Sequence, residues 1–240
     1  MRDTGTAPPL TRRTAVLGAV AVLAAATTLA NRVLPGWAYP LCGAVTAGVL
    51  IGLACLSGRG FAELGLSRRH WRRSAATGGV ACLVVAAGFG VALAVPALRP
   101  LFQDGRVGQH PPAELVWLAL VRIPLGTVLV EEVAFRGVLP ALLGGGERWR
   151  WRPVLGASAL FGLWHLLPSL ALRRNAGVDA AVGALPLPVL SALAMLGAAI
   201  AGVALCALRY AGRGVLAPAL VHLALNSGGL VLAWFAGRAG

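Results

Sequence analysis

The chain contains no lysine, so its 21 basic residues are all arginine, set against only eight acidic ones. Charge of either sign is scarce: 12% of 240 positions, about half the share of an ordinary soluble domain. That scarcity speaks against a soluble domain of this size. Four cysteines stand singly at Cys42, Cys55, Cys82 and Cys206, with no CxxC pair. This excludes a disulfide framework and a thiolate zinc site and leaves small apolar fillers. There is no internal repeat and no Walker-type loop, and Gly144-Gly145-Gly146 reads as a flexible turn.

What the chain has in abundance is apolar sequence. Hydrophobic residues make up 58% of it, and a membrane span needs about 20 consecutive, mostly apolar residues. Seven candidates stand at roughly 14–34, 37–57, 76–96, 113–141, 154–172, 182–208 and 214–236. Pro186 and Pro188 mark the start of the sixth as kinked or re-entrant. The expected fold is all-α: a polytopic transmembrane helical bundle of about seven spans. The 32 glycines imply close backbone packing between helices. Basic residues punctuate the spans instead of forming one stripe, so the partner is a lipid bilayer and not nucleic acid.

Arginine distribution orients the bundle. With the N-terminus in the cytoplasm, thirteen arginines fall inside, among them those of loops 58–75 and 142–153, against six outside. Arg122 and Arg136 remain within spans. The excess predicts N-in and C-out in a bacterial inner membrane. Trp37, Trp71, Trp149, Trp151 and Trp234 stand near span ends, where indole rings favour the headgroup layer. Thr11-Arg12-Arg13-Thr14 before the first apolar run also reads as a twin-arginine signal, an alternative that leaves the remaining spans unchanged.

Against this background the polar residues inside spans carry the chemistry, because an ionisable group there is costly without a purpose or a partner. They cluster in Glu131-Glu132-Val-Ala-Phe-Arg136, Phe161-Gly-Leu-Trp-His165 and His222-Leu-Ala-Leu-Asn226. Positions four apart share a helix face. Glu132 and Arg136 therefore suit an ion pair, and Phe161 can pack on His165. Glu131 points about 100° away, its carboxylate left for another task. Counted from the cytoplasmic ends at about 1.5 Å per residue, Glu131, His165, His222 and Asn226 all lie roughly 12–18 Å deep. A shared level predicts one cluster around a polar cavity, with Trp164 walling it or facing away. His70 and His110 fall in loops, and Arg122 either snorkels or balances a carboxylate.

EExxxR, FxxxH and HxxxN, in that order in separate apolar segments, resemble the CPBP family of intramembrane proteases. That family includes CAAX prenyl endopeptidases and bacteriocin-processing and abortive-infection proteins. The resemblance covers residues 112–230, the CAAX-protease-like core. It leaves 1–111 as N-terminal helices with a basic loop and 231–240 as a C-terminal end. Residues 61–69 (FAELGLSRR) and Trp71 also resemble what precedes that core in bacterial members. HExxH, GxSG and GxGD, signatures of other intramembrane protease classes, are absent.

The resemblance implies an endopeptidase acting on a membrane-bound protein or peptide. Glu131 and His165 would activate water, His222 and Asn226 would stabilise the oxyanion, and Glu132, Arg136 and Phe161 would give support. A buried carboxylate is a good base, and positioned amide or imidazole donors are worth roughly 3 kcal/mol each to an oxyanion. No cofactor is favoured. Zinc is possible through Glu131, His165 and His222, but Asn226 suits an oxyanion donor better than a metal ligand. The competing class is a non-enzymatic membrane protein: an immunity factor, a scaffold or an ion pathway. The arginine-only, Gly/Ala-rich composition suggests a high-GC bacterium, where prenylated substrates are not expected.

Overall fold

The computed structural model describes residues 9–102, 107–174, 178–179 and 182–238. Asp104 and Arg106 lie outside them, as do Arg2 and Asp3. The regular structure of the described residues is all helical, with no strand. Among them six helices are long and apolar enough to cross a membrane: α1 (Arg12–Val33), α2 (Gly36–Leu56), α3 (Arg68–Ala94), α4 (Pro112–Leu142), α6 (Leu187–Gly212) and α7 (Leu216–Ala236). Between α4 and α6 runs the shorter α5 (Trp151–Trp164).

The seventh apolar segment, expected at 154–172, is thus α5 followed by a break at His165 and a single turn, Leu166–Ser169. Pro168 accounts for the break, since its ring crowds the carbonyl of Trp164, four residues back. The other prolines act differently. Pro186 is the N-cap of α6 and Pro188 lies in its first turn, so they start the helix and do not kink it. α3 begins at Arg68, several residues before the apolar run, because Ser67 caps the Arg69 N–H.

α4 is the axis. Every residue from 130 to 142 is buried, and this half packs with α1, α2 and α5 into the core around Leu23, Leu50, Phe135, Leu139 and Phe161. A helix buried on all faces lies inside a bundle. α3 is the opposite: it buries Ser74 and Gly78 and turns Val80, Leu83, Val84 and Val91 outward, the pattern of a lipid-facing helix. The α2–α4 crossing is very close. A Cβ on Gly43 would overlap the Leu125 carbonyl, and one on Gly126 would sit 2.6 Å from Tyr39 Cδ1. α5 packs along α6, and α7 along α3.

α4 is not a regular α-helix. Leu118–Arg122, Pro124–Val128 and Val133–Val138 are wound as π-turns, and Ala224–Gly228 in α7 is another. Such turns are frequent at functional sites. Here they flank the ionisable residues on both helices. The four cysteines are all free.

Candidate active site

The ionisable groups of α4 and α7 meet in the interior. Glu131, Glu132, Arg136 and His222 are 4, 2, 0 and 7% exposed. The His222 ring is flanked by both carboxylates: Nδ1 lies 2.7 Å from Glu132 Oε1, and Nε2 lies 3.7 Å from Glu131 Oε2. Even spacing separates the two carboxylates by about 100°, and the imidazole comes between them. Glu132 also faces Arg136 Nη1 at 3.4 Å, close enough for attraction though without hydrogen-bond geometry. The Arg136 guanidinium lies 4.0 Å above the Phe161 ring, whose electron-rich face is its second support.

Phe161 ties α5 to this cluster. Its ring meets Phe135 at 5.1 Å, His165 at 4.6 Å and His222 at 6.4 Å, all edge to face. As the four-residue spacing implied, the ring packs on the His165 imidazole. His165 Nδ1 lies 2.8 Å from the Phe161 carbonyl oxygen. A carbonyl only accepts, so Nδ1 carries the proton and a neutral ring presents Nε2 as an acceptor.

Trp164 differs from expectation. Instead of merely walling the site, it donates its indole N–H to Glu131 Oε1 at 2.9 Å. The signal was present: an indole N–H in the middle of a span, away from the headgroup layer, needs an acceptor. Glu131 Oε1 is thereby held while Oε2 has no hydrogen-bond partner among the described residues. Asn226 lies one turn beyond His222 in a π-turn, half-buried, and its side-chain amide makes no hydrogen bond among the described residues. The structure therefore joins Glu131, Glu132, Arg136 and His222 directly, brings in His165 through Phe161, and leaves Asn226 beside them.

Other positions resolve simply. Arg122 pairs with no carboxylate among the described residues and stacks 4.5 Å above the Tyr39 ring. His110 pairs with Glu114 at 3.0 Å. An apolar cleft of about 200 Å³ between α1 and α5 reaches Phe135 and Trp164. Among the described residues no group of three His, Cys, Asp or Glu side chains is arranged to hold a metal. The alternative set Glu131, His165 and His222 is therefore not assembled as a ligand sphere.

A buried carboxylate pair with two imidazoles in a helical membrane bundle defines the class: a membrane-embedded protein with the groups for hydrolysis. Residues 112–228, which contain all of these groups, match the family model described as type II CAAX prenyl endopeptidase Rce1-like. Over this segment the chain is similar to the CAAX-type intramembrane endopeptidases, and its six long apolar helices make it a multi-pass membrane protein. No curated protein and no solved structure matches the chain.

Proposed function

We propose that the protein hydrolyses a peptide bond of a membrane-associated protein or peptide, with water activated by Glu131 and His165. The observation that carries this reading is the asymmetry of Glu131: Trp164 holds Oε1, while Oε2 is free to take a proton. Water gives that proton to Oε2, and its oxygen forms the new bond to the carbonyl carbon. The carbonyl π electrons pass to oxygen as the oxyanion. His165 Nε2, an acceptor by virtue of the Nδ1 contact, orients the water. As the C–N bond breaks, Glu131 returns the proton to the leaving nitrogen.

The oxyanion needs donors, and His222 and Asn226 supply them in this account. Two carboxylates flank the His222 ring and one guanidinium faces Glu132, so a proton carried by His222 balances the four groups and gives its Nε2 a hydrogen to donate. Glu132 fixes the ring through Nδ1. The Asn226 amide makes no competing bond. Asn226 suits an oxyanion donor better than a metal ligand, which favours the glutamate mechanism over a zinc one.

Cleavage of a membrane-anchored peptide by the purified protein tests the reading. Wild type cleaves with a chelator present, and Glu131→Gln folds but does not cleave. Unchanged cleavage by Glu131→Gln would refute the assignment of Glu131. We further infer a cytoplasmic N-terminus from the arginine excess. Accessibility labelling of residues 58–67 from the cytoplasmic side checks it, and labelling from outside overturns it.

A further inference from the structure

At the end of the bundle where α3 begins and α6 stops, a second polar site lies apart from Glu131. Ser67, Arg69, His70, Glu147, Arg209 and Arg213 line a cleft of about 50 Å³. One water needs about 10–15 Å³, so the cleft has room for a few water-sized groups, the size of one tetrahedral oxyanion. Three guanidiniums surround it with a single carboxylate, that of Glu147, which stands 3.7 Å from Arg213. Two positive charges are left without a counter-charge among the described residues.

Arg209 is the decisive member. It is 1% exposed, yet no carboxylate lies within ion-pair distance of it among the described residues. Its Nη2 donates to the Glu63 carbonyl at 2.6 Å, its face covers the Tyr210 ring, and its Nε–H has no partner among the described residues. Buried charges are ordinarily paired. The frame that holds it is firm. Gly65, at φ +70°, packs where a Cβ would come 3.2 Å from Arg209 Nε. The Gly65 carbonyl accepts from the Val215 N–H at 3.0 Å, and Ser74 Oγ bridges Gly214 and Ala217.

Two further observations say what kind of anion arrives. The cleft lies at span ends beside Trp71, which is exposed, and beside the Trp149–Trp151 pair, whose Trp149 also meets Tyr210 at 5.5 Å. Such rings mark the headgroup layer. A neighbouring groove of about 240 Å³ shares Ser67 and His70 with the cleft and runs over Leu66, Trp71, Val215 and Leu216. We propose that the cleft binds the phosphate of an anionic phospholipid, with Arg69, Arg209 and Arg213 facing its oxygens and the groove holding the glycerol end of the acyl chains. Basic pockets between transmembrane helices suit this ligand. The site does not depend on the hydrolytic reading.

The test uses the full-length protein in detergent, offered phosphatidylglycerol, phosphatidylcholine or inorganic phosphate at matched ionic strength. Bound lipid and thermal unfolding are both read. Arg69 and Arg213 are exposed, so Gln at either leaves the fold intact. Phosphatidylglycerol binds and raises Tm, and Arg69→Gln and Arg213→Gln each weaken binding about fivefold. Arg72→Gln, an exposed arginine outside the cleft, does not. Equal loss from Arg72→Gln, or phosphatidylcholine binding as well as phosphatidylglycerol, overturns the proposal. Stabilisation by inorganic phosphate alone overturns the lipid assignment and gives the cleft to a soluble phosphate.

Discussion

Arg136 and Arg209 are both shut away from solvent and both stack on an aromatic ring, yet the chain treats their charges differently. Arg136 sits in the middle of α4 with a carboxylate at 3.4 Å and an imidazole beyond it. Arg209 sits at the end of α6 with a backbone carbonyl as its acceptor and, among the described residues, no carboxylate within ion-pair distance. The first charge is neutralised from within, so that Glu131, Glu132 and His222 can share one buried site. The second is left for something outside the chain. Depth explains the contrast: mid-membrane there is no external counter-ion, whereas at the span end the headgroup layer supplies one.

Removing each charge should separate the two cases. Arg136→Met leaves Glu132 buried and unbalanced, and breaking a buried pair in this way costs about 3–5 kcal/mol, read as a large fall in Tm or yield. Arg209→Met orphans only the Glu63 carbonyl, at about 1–3 kcal/mol, and in the presence of phosphatidylglycerol the variant should lose the lipid-dependent part of its Tm as well. Equal losses for the two would erase the distinction. Within the inner cluster, Trp164→Phe keeps the packing on Phe135 but frees Glu131 Oε1. It should lower kcat by about tenfold with little change in KM, since a hydrogen bond to a charged group is worth about 1.5–3 kcal/mol. A rise in KM alone would make Trp164 a substrate contact.

The smallest effect belongs to the loop that frames the outer cleft. Burial raises the Glu63 pKa, but the Gly60 N–H and Arg59 outweigh it and hold the carboxyl below its usual value. A depressed pKa stabilises the folded loop above the ordinary glutamate range, and that contribution is lost as pH falls through the lowered value. Hydrogen-exchange protection of residues 60–66 should therefore hold at pH 5 and weaken below about pH 4. Loosening on alkalinisation instead would contradict the sign.

Most of the bundle was legible because spans are read from length and hydropathy alone. The three motifs were legible because ionisable residues stand out in such sequence. What the sequence hid was direction. Even spacing separates Glu131 from Glu132 by about 100°, and it does not show that the His222 ring comes between them, with Nδ1 toward Glu132 and Nε2 toward Glu131. The end of α5 was readable from Pro168 and was obscured by the unbroken apolar run across it. Arg209 drew no notice, since a basic residue at a span end ordinarily snorkels to water. Only the fold of residues 57–66 over it shows the charge enclosed.

The most direct measurement compares Glu131→Gln with Glu132→Gln for cleavage of a membrane-anchored peptide, with Tm recorded alongside. The account predicts that Glu131→Gln keeps a near-native Tm and loses cleavage. It predicts that Glu132→Gln loses stability, because Arg136 and His222 forfeit their shared carboxylate. A folded, inactive Glu132→Gln beside a fully active Glu131→Gln would contradict it.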